Sequence, residues 1–171
     1  GGLPFGGIWA FLCVLLTFVG MKDLKSNSPQ KVKAALERAK KKGDATWILP
    51  LLEAFASREE DGLREEMGAM LSTLKLSAAE DIFLDALEQD DWKHVRADLL
   101  WFLWGCGFTC EGRLAHVVEV ACEGDFGQAM EGTTLLEQVE TVTHEKDVLE
   151  AQVIASEALQ DDGKAGIRPF V

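Results

Sequence analysis

Cysteine and histidine are the side chains best able to hold a metal or attack an electrophile, so their spacing is the first thing to weigh. The chain has four cysteines and three histidines. Of Cys13, Cys106, Cys110 and Cys122, only Cys106 and Cys110 stand close, as Cys-x-x-x-Cys. A zinc site needs a second pair of ligands, and none follows at finger-like distance. Small apolar residues in a reducing cytosol is the ordinary reading; a Cys106–Cys110 disulfide or a metal is the alternative. His116 and His144 are assigned no metal, for want of a ligand partner one helical turn on. Asp90 and Asp91 with His94 and Arg96 would suit acid–base chemistry. Carboxylates at a helix start, however, usually stabilise its dipole and cap its amides. No phosphate-cradling glycine loop, nucleophile elbow or His-Glu metal motif occurs, and no catalytic or cofactor-binding residue is assigned. The expected absence extends to cofactors.

The other informative side chains are aromatic. Residues 99–104 read LLWFLW. With Val95 at zero and ~100° per residue, Leu99, Phe102 and Leu103 share one face, while Leu100, Trp101 and Trp104 fall on the other, at about 140–240°. Equivalent positions in the sister segments are Gly68, Ala69 and Ser72, and Thr133, Thr134 and Glu137. Two tryptophans on an otherwise lean surface suggest a partner-binding site, since Trp is enriched at binding hot spots. The competing reading is that these helices also pack sideways and the aromatics fill gaps there.

The charge restricts the partners. The 47% hydrophobic and 27% charged composition is that of a folded domain rather than a disordered chain. Residues 21–50 hold eight basic against three acidic residues, leaving nine basic against 26 acidic over 51–171. A body that acidic repels phosphate backbones, so no nucleic-acid partner is expected outside the basic segment. The runs Glu59-Glu60-Asp61 and Glu65-Glu66 read as a solvated acidic face. Its contrast with the lysines of 31–42 permits head-to-tail association.

Positioning falls to helices. Segments 47–74, 81–105 and 114–139 overlay as an apolar-periodic helix, a short acidic turn and a second apolar-periodic helix. Leu63, Val95 and Gln128 align at spacings of 32 and 33, and Val32 precedes them by 31. Ser28-Pro29 starts a basic helix, Gly43-Asp44 closes it and caps the next, Ser77 to Glu80 forms a capping box, and Asp125 with Gln128 forms a similar start. A last helix is expected over about 143–160. No strand pattern is present. A helix pair cannot bury its apolar stripe alone, so the pairs are expected to stack.

The pairs LPLLEAF…DGLREEMGAML and LDALEQDDWKHVRADLLWFLW resemble the HEAT repeat, through Leu49-Pro50 in the first helix and Val95-Arg96, more loosely Leu63-Arg64, opening the second. The resemblance spans about 28–160 and departs at Gln128-Ala129, where Val-Arg is replaced. It implies an all-α, right-handed α-α superhelix: a short HEAT-like solenoid of stacked antiparallel helix pairs. It further implies a scaffold or adaptor role. Some HEAT-like proteins are DNA glycosylases or tetrapyrrole lyases, an alternative that the acidic charge disfavours.

Residues 3–21 carry no charge, and 8–19 read IWAFLCVLLTFV. That length is near the ~20 residues of a membrane span. A membrane anchor, an apolar helix packed on the body, and residues foreign to the mature protein all fit. The expected organisation is an apolar segment 1–21, a helical repeat domain 22–160 and a tail 161–171. The expected function is a non-catalytic, cytoplasmic protein–protein interaction module. It binds another protein through the face of its second helices, at Leu100, Trp101 and Trp104. A membrane-tethered adaptor, held through residues 3–21, is the alternative.

Overall fold

The computed structural model describes residues 5–59, 61–140 and 145–160. Within them every regular element is helical: nine α-helices and two 3₁₀ turns. The chain divides into two compact units, residues 1–67 and 68–171.

The first unit opens with α1 (Phe5–Asp23) and α2 (Pro29–Lys42). Ser28 stands at the N-cap of α2 with proline at its first turn, as the sequence suggests, although the Ser28 side chain makes no capping bond. Gly43 ends α2 in the left-handed region, φ 59°, where glycine carries no Cβ penalty. Asp44 then accepts from the Thr46 amide and hydroxyl and caps a 3₁₀ turn over Ala45–Trp47. From there the chain enters α3 (Ile48–Ser57). Val32, Ala35, Leu36 and Ala39 form the buried stripe of α2, and Ile48, Leu51, Leu52 and Phe55 that of α3. α4 (Gly62–Leu71) carries the chain into the second unit.

The second unit holds α5 (Ala78–Glu88), a 3₁₀ turn over Asp90–Val95, α6 (Arg96–Gly105), α7 (Leu114–Glu123), α8 (Phe126–Val139) and α9 (Glu145–Gln160). Its helices form two layers. α7 packs on α5 and α9 in one, α6 packs on α8 in the other, and the pairs α5–α6 and α7–α8 join them. The core runs through Phe83, Leu87, Leu99, Phe102, Leu103, Val117 and Leu135, all buried. Phe83 and Phe102 meet with ring centroids 5.5 Å apart, within the favourable aromatic range. Gly132 of α8 lies so near α7 that a Cβ there would collide with the Ala121 Cβ.

Two local expectations are corrected. Ser77 makes no capping bond, because it already has helical angles; the first amides of α5 are met by backbone turns to Leu76 and Ser77. Val95 does not open the second helix of its pair, since it closes the 3₁₀ turn and α6 begins at Arg96. The tail 161–171 lies outside the described residues. Among those described, no helix is long and apolar enough to cross a membrane.

Candidate partner-binding face

Three helix pairs, α3–α4, α5–α6 and α7–α8, are each tied by one polar side chain near the start of the second helix. Arg64 donates to the Phe55 carbonyl at 3.3 Å, Arg96 to the Leu87 carbonyl at 3.1 Å, and the Gln128 amide to the Val120 carbonyl at 2.7 Å. All three carbonyls belong to the last turn of the preceding helix, where acceptors lack an intrahelical donor. The tie recurs every 32 residues exactly, which corrects the alignment of Gln128 with Val95: Gln128 stands where Arg96 stands. Asp61 and Asp125, 64 residues apart, accept from the amides of Arg64 and Gln128 at 2.7 and 2.9 Å. Arg64 also lies over the Phe55 ring, 4.2 Å from its centroid, adding a cation–π contact.

With α6 so anchored, its three candidate residues separate. Leu100 is fully buried, which removes it from any partner-binding surface. The physical reason is lateral packing: α6 lies against α8, so a position opposite the main core stripe still faces a neighbour. Trp101 and Trp104 are half-buried. Trp101 leans on Phe102, with ring centroids 5.1 Å apart, and the Trp104 indole N–H donates to the Glu131 carboxylate of α8.

The outer ridge of α8 continues the apolar character. Phe126 is 54% exposed and Met130, one turn on, 44% exposed. Thr134 and Glu137 follow on the same ridge. These two apolar residues were not picked out from the sequence, although they sit at i, i+4 off the buried stripe of Ala129, Gly132 and Leu135. Asp98, Glu131 and Glu137 are the ionisable groups accompanying the aromatics on α6 and α8, while the one cation of those helices, Arg96, is buried. The face is thus apolar and acidic.

The residues with chemical potential do not converge. His94 lies exposed on the 3₁₀ turn, while Arg96 is turned inward to Leu87 with Asp90 3.7 Å away. His116 does have a partner one turn on, with its Nδ1 3.5 Å from Glu119, which corrects the sequence reading; a single pair is not a metal site. His144 lies outside the described residues. The four cysteines are thiols. Burial pushes the Cys110 thiol up to about 12, with Glu80 adding to the shift, and burial also raises Cys106. The Cys106 thiol donates to the Leu71 carbonyl at 3.1 Å. Protonated thiols of this kind are poor nucleophiles and poor metal ligands. Among the described residues no group of three or more Cys, His, Asp or Glu side chains is arranged to hold a metal ion.

No family model, no curated protein and no solved structure matches this chain.

Proposed function

We propose that this chain is a non-catalytic interaction module that binds a partner protein along the α6–α8 face. The observation that carries the reading is the exposed pair Phe126 and Met130 on α8, together with the half-buried Trp104 of α6, whose indole donates to Glu131, the residue after Met130. Apolar anchors next to an indole are the composition of binding hot spots, and Met adapts readily to different partner shapes. The carboxylates of Asp98, Glu131 and Glu137 set the partner chemistry. A segment with apolar anchors flanked by lysine or arginine complements this face, whereas a phosphate backbone is repelled by it. In this reading the helix pairs belong to a HEAT-like, right-handed stack whose second helices form the recognition side. The 32-residue recurrence of the Arg64, Arg96 and Gln128 ties supports that assignment.

The test is affinity purification of the wild type against Phe126→Ser/Met130→Ser, whose exposed side chains leave the core intact. The reading predicts stoichiometric partners that the double variant loses at unchanged thermal stability. A partner set that is the same for both proteins would refute it.

A further inference from the structure

The apolar exposure of the first unit is concentrated in one helix. Among the described residues, nine large apolar side chains of α1 are exposed, including Ile8 at 62%, Trp9 at 68% and Phe11 at 65%. They occupy most of the circumference: Phe11, Val14 and Phe18 on one side, Ile8, Leu12, Leu15 and Val19 outward, Trp9 and Leu16 on the other. A helix that is apolar nearly all round is stable only when surrounded by apolar matter. A self-pairing helix would instead need one apolar stripe and polar flanks.

The surroundings of α1 indicate what that matter is. The turn after Asp23 reverses the chain, and α2 runs back along α1. Arg38 reaches Asp23 at 3.5 Å, and Gly20 lies against the Trp47 ring. Lys42, at the end of α2, lines a cleft with Cys13, Val14 and Phe18. α2 therefore stops level with the middle of α1, and residues 5–12 extend past it. Eight residues at ~1.5 Å each span about 12 Å, within the ~15 Å of one hydrocarbon leaflet. At the level where the extension begins stand the exposed lysines Lys40, Lys41 and Lys42. Lys40 is held by Glu37 and Glu66 at 3.3 and 3.0 Å. Asp44 stands at the same level and uses its carboxylate to cap the turn that follows. Lys41 and Lys42, both exposed, close α2 beside it.

We infer that α1 dips obliquely into one leaflet of an anionic lipid bilayer, with the lysines ending α2 seated among its headgroups. Residues 5–12 enter the hydrocarbon, the outward flank of Leu15 and Val19 rests on the surface, and Lys41 and Lys42 meet phosphate or carboxylate groups. Both terms act together, since apolar insertion alone is indifferent to lipid charge and a short lysine cluster alone binds weakly. This attachment uses residues of the first unit alone and does not rest on the proposed partner-binding role of α6 and α8.

Vesicle flotation of the full chain tests it, using phosphatidylcholine alone or with one third phosphatidylserine. The expected result is at least tenfold tighter binding to the serine-containing vesicles. Lys41→Gln/Lys42→Gln should weaken that binding roughly thirty-fold, as the loss of two lysine charges at a charged surface implies. Ile8→Asp/Phe11→Asp should abolish binding to both vesicle types, with the helical circular dichroism of each variant unchanged. Equal binding of the wild type to the two vesicle types would overturn the inference. So would absence of vesicle binding, or a dimer in sedimentation equilibrium that Ile8→Asp/Phe11→Asp dissolves, which would assign α1 to a second copy of the chain.

Discussion

The Gln128 side chain closes the helix before its own, donating to the Val120 carbonyl at 2.7 Å where Arg96 donates to Leu87 at 3.1 Å. A neutral amide thus takes the place of a guanidinium, reaching the same kind of orphan carbonyl with one donor. The two should differ in strength. A hydrogen bond from a charged donor is worth about 1.5–3 kcal/mol net and a neutral one about 1 kcal/mol. Arg96→Ala should therefore lower unfolding stability by roughly 2–3 kcal/mol, and Gln128→Ala by about 1 kcal/mol. Urea denaturation followed by circular dichroism measures both. Equal losses would mean that the tie is only packing.

Leu100 offers a second comparison. It is fully buried, while Met130 is 44% exposed, yet both belong to the aromatic region of α6 and α8. Leu100→Ala should cost about 2–5 kcal/mol, as other large-to-small core substitutions do. Met130→Ser, made at the surface, should stay within about 0.5 kcal/mol of wild type. If Leu100→Ala proved neutral, the lateral packing of α6 on α8 would be wrong.

A pH dependence follows from Arg113. Its guanidinium donates to Glu88 at 2.7 Å and to Asp85 at 3.1 Å, with Asp81 at 4.0 Å. The hydrogen bond from Arg113 holds the Glu88 carboxyl below its ordinary 4.5, with the guanidinium's charge adding to the effect. A carboxylate whose pKa is depressed by folding stabilises the fold above its unfolded value and loses that contribution as pH falls through the folded one. Wild type should therefore exceed Arg113→Gln in stability at neutral pH, and the gap should close as pH falls below 4.5. The carboxylates of this cluster are exposed, so salt should shrink the gap as well. A gap that widens in acid would contradict the assignment.

Much of the helical layout is legible before the structure, because its signals are local. The expected basic helix over 28–42 is found as Pro29–Lys42, and the last helix, expected near 143–160, as Glu145–Gln160. Ser28-Pro29 and Gly43 set the ends of the first of these, and Asp125 likewise marks the start of α8. Lateral neighbours are not local, and that is where the reading fails. A helical wheel places Leu100 beside Trp101 and Trp104, away from the main stripe, but cannot show that α8 covers that side. The same limit hid Phe126 and Met130, whose exposure depends on which flank of α8 meets α6 and α7. The slip of one residue at Gln128 has a different origin. Apolar matching favours Val95 as its counterpart, whereas the hydrogen-bond role, visible only with the Val120 carbonyl in place, selects Arg96.

The account rests most on the outer ridge of α8 being where a partner sits. A photo-crosslinking amino acid placed at Met130, and in a control at Asp81 on α5, tests that directly in cells producing the full chain. The predicted result is one dominant adduct from position 130, competed by untagged wild type and missing from position 81. Equal capture at both positions, or capture from position 81 alone, would contradict it.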